Sequence, residues 1–162
     1  MSERIRAVAI TVSDRCSRGE AEDVSGAVLI ECLEEINAEI LGKIIISDDL
    51  EPLVAALEKQ AERENVNLIV TTGGTGFSQR DNTPEATRAV IEREAPGLAE
   101  AMRTASLEKT PTAMLSRAVC GIRGKCLIVN LPGSPKAVRE CFDVIKAVLP
   151  HAVSLLAGQT DH

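Results

Sequence analysis

Apolar residues recur along the chain with two alternating periods, and that alternation predicts the architecture. A β-branched run from Arg6 to Val12 ends at Ser13-Asp14, and a helical spacing follows from about Ser25 through Val28, Leu29, Cys32, Leu33 and Ile36. Ile40 to Ile46 reads as a second strand. Leu50 to Arg63 reads as a helix with Leu53, Val54, Leu57 and Ala61 on one face, and Asn67 to Val70 as a third strand. Helical spacing returns at Pro84 to Glu94 and at Gly97 to Leu107. Arg117 to Ile122 and Cys126 to Leu131 then flank the polar turn Arg123-Gly124-Lys125, which predicts a hairpin near a sheet edge. A last long helix starts at Ser134-Pro135 and runs to about Val148, with Pro150 ending it and Val153 to Leu156 packing back as an apolar tail. The expected class is α/β: three αβα layers, a mostly parallel sheet and one antiparallel edge hairpin.

Composition narrows this picture. With 162 residues and 44% hydrophobic content, the chain can bury one core, and no Ser/Gly/Pro-rich linker divides it, so 1–162 reads as a single domain. The apolar run from Ala7 to Val12 is too short for a signal peptide or a membrane span, which predicts a soluble, cytoplasmic protein without a membrane role. Five cysteines at 16, 32, 120, 126 and 141 contain no C-x-x-C pair, and the histidines stand only at 151 and 162, so zinc and disulfide frameworks are not expected. The spacing around Cys32, Cys126 and Cys141 fits packing positions, whereas Cys16 sits in a polar loop. A formal charge of -6, no Trp or Tyr, and only Phe77 and Phe142 argue against nucleic acid as a partner.

The unusual residues fall where the strands end. In an open parallel sheet, ligands gather outside the carboxyl ends of the strands. Ser13-Asp14 closes the first strand and Asp48-Asp49 the second; Thr72 to Asp81 follows the third, and Asn130-Leu131-Pro132-Gly133-Ser134-Pro135 closes the last. Within Thr71-Thr72-Gly73-Gly74-Thr75-Gly76, glycines let main-chain N–H groups converge on an anion, and a helix starting at Thr83-Pro84 aims its positive end the same way. A plain strand-to-helix turn would also use glycine here. The loop is neither a Walker loop nor G-x-G-x-x-G. The Pro132-Gly133-Ser134-Pro135 turn repeats the logic, with Ser134 as N-cap and Pro135 in the first helical position.

Two readings stand for Asp48: a helix cap, with Glu51 three residues on, or a ligand-facing carboxylate. Asp81 is less easily a cap, because Thr83 is the better N-cap and Pro84 then takes the first helical position. A carboxylate beside a phosphate loop repels its ligand unless a cation lies between them, and magnesium takes one or two carboxylates plus phosphate oxygens. Asp48 and Asp81 are therefore candidate metal holders. Arg80 and Lys136 are the nearest basic candidates for phosphate charge. No Ser-His-Asp or Cys-His set is available for covalent acyl chemistry.

These motifs, with Ser13-Asp14-Arg15, Arg80-Asp81-Asn82-Thr83-Pro84-Glu85-Ala86, Ser116-Arg117 and the final Lys136, resemble the molybdopterin adenylyltransferases of molybdenum-cofactor biosynthesis. Gephyrin and its plant counterpart contain a similar domain. The resemblance spans nearly the whole chain and implies a molybdopterin-binding-domain type of fold. It also implies transfer of AMP from magnesium-ATP to the terminal phosphate of molybdopterin, with release of pyrophosphate. Carried over by position, the essential acidic pair falls on Asp48 and Asp81. The ligand loops fall on Ser13, Asp14, Thr72, Gly73, Gly74, Thr75, Gly76, Asn130, Pro132, Gly133, Ser134 and Lys136, and a site-facing serine falls on Ser106. A homotrimer and a molybdenum insertase as acceptor of the product are likewise implied. The alternative is a related group, the molybdenum cofactor biosynthesis protein B type, some of whose members bind the pterin without transferring AMP.

Overall fold

The computed structural model describes residues 2–160, so His162 lies outside the described residues. A six-stranded sheet runs in the order β2-β1-β3-β6-β5-β4. Its strands are β1 (Arg6–Val12), β2 (Glu39–Ile46), β3 (Leu68–Thr72), β4 (Arg93–Glu94), β5 (Cys120–Arg123) and β6 (Cys126–Leu131). Strands β2, β1, β3 and β6 are parallel, whereas β5 and β4 join antiparallel. The predicted class is therefore present, but the hairpin of β5 and β6 is not the edge. The short β4 covers it.

Alternation along the strands builds two cores. Ala7 and Ala9 of β1, Leu68 and Val70 of β3, and Leu127, Val129 and Leu131 of β6 face one layer. That layer holds α2 (Val24–Glu35), α5 (Pro96–Leu107), α6 (Pro135–Ile145) and α7 (Leu149–Leu156). Val8, Ile10, Val12, Ile69 and Ile128 face the other layer, where Leu53 and Leu57 of α3 (Leu50–Ala61) and Ala86 and Val90 of α4 (Thr83–Val90) pack. Because strand side chains alternate, β1, β3 and β6 each serve both layers at once. Phe142 is fully buried in the first layer; a side chain of that size is worth about 3–5 kcal/mol against Ala.

Four expectations change. The helix from Pro84 ends at Val90, because Arg93 and Glu94 leave it to pair with Ile122 and Gly121. Pro150 does not end a helix but stands in the first turn of α7, where its missing N–H costs nothing; α6 stops at Ile145. The start of α4 falls one residue early: Asn82 is the N-cap, Thr83 the first helical residue and Pro84 the second. A one-turn helix, α1 (Asp14–Ser17), and a 3-10 turn over Pro111–Leu115 lie in stretches with no apolar period. Four cysteines are buried and Cys16 is half-buried; all five are free, and burial pushes the Cys120 and Cys126 thiols up to about 12. No helix among the described residues is long and apolar enough to cross a membrane.

Parallel register aligns the strand ends into one rim. Val12 lies opposite Ile46, and Thr72 lies opposite both Thr11 and Leu131. The four loops that follow these strands therefore emerge side by side.

Candidate active site

Interlocking hydrogen bonds join the rim loops before any ligand is considered. Asp14 N–H donates to Asp48 Oδ2 at 2.9 Å, and Asp48 N–H donates back to Asp14 Oδ1 at 3.1 Å. Asp48 is thus not the cap of α3. Asp49 occupies that position and makes no side-chain cap bond. Asn82 Nδ2 donates to Asp48 O at 2.9 Å, which ties the start of α4 to the end of β2.

The glycine loop is held from three sides. Gly73 N–H donates to Leu131 O at 3.2 Å, Thr83 Oγ1 donates to Gly73 O at 2.9 Å, and Thr83 N–H donates to Gly74 O at 3.1 Å. Thr72 Oγ1 donates to Pro132 O at 2.7 Å, and Ser25 Oγ to Gly133 O, so the two glycine-bearing loops and α2 are linked. Gly73 and Gly74 have φ of 101° and 69°, a region that favours glycine. Among the described residues, the N–H groups of Gly74, Thr75 and Gly76 find no protein acceptor. A row of such donors suits an anion.

Two cavities meet at these loops. A polar one of about 490 Å³ is lined by Ser13, Asp23, Ser25, Asp48, Thr72, Gly73, Gly74, Asp81 and Gly133. A mostly apolar one of about 250 Å³ is lined by Thr75, Gly76, Met102, Arg103, Ser106, Ser116, Asn130, Pro132, Glu140 and Cys141, among others. Within each loop, neighbouring residues serve different cavities: Gly74 the polar one and Thr75 the apolar one, Gly133 the polar one and Pro132 the apolar one. The wall between the cavities is therefore main chain rich in glycine.

Each acidic candidate has one oxygen engaged and one free. Asp48 Oδ2 accepts from Asp14 N–H, and Asp81 Oδ2 accepts from Ser78 N–H at 3.0 Å, whereas neither Oδ1 has a hydrogen-bond donor among the described residues. No three His, Cys, Asp or Glu side chains of the described residues gather as a metal-ligand group. Two carboxylates plus substrate phosphate are nevertheless the donor set that suits magnesium.

A family model described as "Probable molybdopterin binding domain" matches residues 8–151. The chain belongs to this family. A molybdopterin adenylyltransferase of Helicobacter pylori is 43% identical over 151 residues, covering 92% of this chain and 86% of that protein. The molybdenum cofactor synthesis protein cinnamon of Drosophila melanogaster is 46% identical over 149 residues, 91% of this chain but 25% of that longer protein. The crystal structure of the molybdopterin biosynthesis enzyme MoaB of Thermus thermophilus superposes with a TM-score of 0.89 at 47% identity. It covers 95% of this chain and 97% of its own.

Not every candidate of this molybdopterin-binding domain reaches a cavity wall. Asp14 stands behind Asp48, where Arg80 grips it through Nε at 3.0 Å and Nη2 at 2.9 Å; Arg80 also bonds Asp49 at 2.9 Å. Ser134 caps α6 by accepting from Ala137 N–H at 3.2 Å. Lys136 is 87% exposed and pairs loosely with Glu140 at 3.9 Å, lining neither cavity. Ser106 lies 3.6 Å from Cys141 Sγ in the apolar cavity. Asn130 is fully buried: its Oδ1 accepts from Val119 N–H at 3.1 Å, and its Nδ2 donates to Thr71 and Thr87 at 3.1 and 2.9 Å. Sequence reasoning missed Asp23, Ser25, Arg103, Glu140 and Cys141. Only Asp23 carried a local signal, as the residue before Val24 that caps α2 by accepting from Gly26 N–H.

The two neighbouring aspartates have their pKa values shifted in opposite directions. Arg80, and then the Asp48 N–H, hold the Asp14 carboxyl below the ordinary carboxylate range. Burial pushes the Asp48 carboxyl above that range, and the charges of Asp14 and Asp81 push the same way against the Asp14 N–H. Folded Asp48 therefore binds its proton more tightly than the unfolded chain does, so its ionised form costs stability at neutral pH, and the cost is relieved as pH falls through the raised pKa. Asp14 works the other way: its contribution is present above the unfolded carboxylate pKa and is lost as pH falls through its lowered one. Asp48→Asn is expected to melt at or above the wild-type temperature at pH 7, with the difference shrinking as pH falls into the carboxylate range. A clearly lower melting temperature at pH 7 would count against this electrostatic account.

Proposed function

We propose that this chain, as one domain, transfers AMP from magnesium-ATP to the terminal phosphate of molybdopterin. The carrying observation is the pair of cavities that share the glycine loop and the Pro132-Gly133 loop. One is polar and bears the acidic pair; the other is apolar and suits a ring system. Ligands that meet through their phosphates would do so at the main-chain wall between them. The Helicobacter pylori relative, named for this activity, supports the same reading.

In the reaction, an oxygen of the molybdopterin phosphate attacks the α-phosphorus of ATP. A new P–O–P bond forms, the bond to the β-phosphate bridging oxygen breaks, and pyrophosphate leaves with the electron pair. A phosphomonoester with a second pKa of about 6 is already largely dianionic at neutral pH, so no general base is needed. The chain's tasks are positioning and charge control. The N–H groups of Gly74, Thr75 and Gly76 orient phosphate oxygens, and Ser13, Ser25 and Thr72 supply further polar wall. Asp48 and Asp81, each with one carboxylate oxygen that takes no donor among the described residues, would hold magnesium, whose chemistry there would be to neutralise phosphate charge as pyrophosphate departs.

The resemblance further supports a homotrimer acting in the cytoplasm and handing its product to a molybdenum insertase. Purified protein given molybdopterin, ATP and magnesium is expected to release one pyrophosphate for each adenylylated pterin formed. Pterin binding without product at any ATP concentration would overturn the transfer and favour the protein B type of binding module.

A further inference from the structure

We propose that Arg117, the second residue of the Ser116-Arg117 pair, is a positioning residue that fixes Asp81 and couples the two cavities. This inference rests on the adenylyl-transfer reading above. Arg117 lies outside both cavities, yet it holds three carbonyls of the segment that follows β3. Its N–H donates to Thr75 O at 2.8 Å, Nε to Gly76 O at 2.8 Å and Nη2 to Asp81 O at 2.8 Å. Nη1 reaches both carboxylate oxygens of Glu85 in α4, at 2.9 and 2.8 Å. One guanidinium thus clasps both ends of the 76–81 loop and the first turn of α4.

The geometry is specific to arginine. A planar fork of five donors satisfies two carbonyls and a carboxylate at once, whereas a lysine ammonium is a single point charge that cannot span them. Charge-assisted bonds of this length are among the stronger ones available to a loop. Among the described residues, Asp81 itself is tied inside the loop to Ser78, through Asp81 N–H to Ser78 O at 3.0 Å and Ser78 N–H to Asp81 Oδ2 at 3.0 Å, while its neighbours Arg80 and Asn82 are held on the far side to Asp14, Asp49 and Asp48. Without Arg117 the loop keeps its internal turn and the Arg80 and Asn82 contacts, but loses the anchor on the side of the apolar cavity, at the Asp81 carbonyl.

The same residue touches both cavities indirectly. Its neighbours Ser116 and Ala118, and its partners Thr75 and Gly76, line the apolar cavity. Asp81, whose carbonyl it holds, lines the polar one. A ring seated in the apolar cavity would pack against Ser116 and Ala118, and Arg117 would carry that contact to the Asp81 carboxylate of the polar cavity.

The test uses the whole protein with Arg117→Ala, Arg117→Lys and Glu85→Gln. Turnover at saturating substrates is expected to fall about 10²-fold in Arg117→Ala, as for a displacement of about 1 Å at the reacting centre, while binding of an ATP analogue in the absence of molybdopterin stays as in the wild type. Arg117→Lys does not restore it, whereas added guanidinium ion restores part of the rate in Arg117→Ala and none in Asp81→Asn. Binding of α,β-methylene-ATP, measured with and without molybdopterin, is expected to be coupled in the wild type and uncoupled in Arg117→Ala. Should Arg117→Ala fail to fold, Glu85→Gln, which loosens only the outer anchor, is expected to show weakened coupling and a rate reduced about tenfold by the same displacement argument. Wild-type turnover or coupling in a folded variant overturns the inference. A wild type that binds both ligands but makes no product overturns the transfer reading instead, and the analogue titration still decides the role of Arg117.

Discussion

Asp48→Asn and Asp81→Asn are each expected to lower adenylyl transfer by about 10²- to 10³-fold at saturating substrates, the range typical of removing one preorganised charge-stabilising group. Each substitution leaves the local scaffold intact. An Asn side-chain oxygen can still accept from Asp14 N–H at position 48 and from Ser78 N–H at position 81, the bonds that the Oδ2 atoms now accept. What disappears is the negative charge of two residues that line the polar cavity. Under the proposed function these carboxylates act mainly as charge changes at the α-phosphate, so the loss should fall on kcat more than on KM. The paired readout is pyrophosphate release together with the melting temperature. A turnover within tenfold of wild type for either variant would remove that residue from the acidic pair. Unchanged turnover for both would return the carboxylates to a purely structural role in tying the rim loops.

Gly73→Ala is expected to cost about 2–6 kcal/mol of stability, from backbone strain of about 1–3 kcal/mol and overpacking of a similar size. At φ of 101° an L side chain is strained, and a Cβ at this position would overlap Val12 O. That carbonyl cannot retreat easily, because Val12 is paired with Ile46 in the parallel part of the sheet. Against a typical total of about 5–15 kcal/mol, such a loss leaves a protein that melts many degrees lower. Gly124→Ala provides the contrast. Its φ is 58°, also left-handed, but nothing lies within 4 Å of the added Cβ, so only the strain of about 1–2 kcal/mol remains. Thermal denaturation of the two variants separates close approach from conformational freedom, and equal losses would refute the role assigned to the Val12 contact.

The strands were legible because their apolar runs are short and β-branched, a pattern with few alternatives once helices alternate with them. The boundaries of β3 shifted only slightly: it starts at Leu68 rather than Asn67, and Thr71 and Thr72 continue it although their side chains are polar. Signals failed where local pattern and tertiary demand disagreed. Arg93 and Glu94 continue a helical spacing, but they pair with β5 and cover its open edge, which a sequence pattern cannot foresee. Pro150 is a stop or a start depending on which side the helix lies. Asp48 has the spacing of a capping box, yet the loop after β1 arrives close enough for its Oδ2 to take the Asp14 N–H instead.

The site divides in the same way. The residues alone determined an α/β alternation, a glycine-rich loop with Asp81 beside it, and a second loop of the same kind at Pro132-Gly133, because these depend on period, backbone freedom and charge within short stretches. Only the tertiary structure decided that Asp14 stands behind Asp48 in the grip of Arg80, that Lys136 points to solvent, and that Arg103, Glu140 and Cys141 wall an apolar cavity. It also decided that Arg117 spans the loop from Gly76 to Asp81. These are contacts between residues tens of positions apart, formed when strand register brings separate loops to one rim, and a chain read in order carries no record of that register.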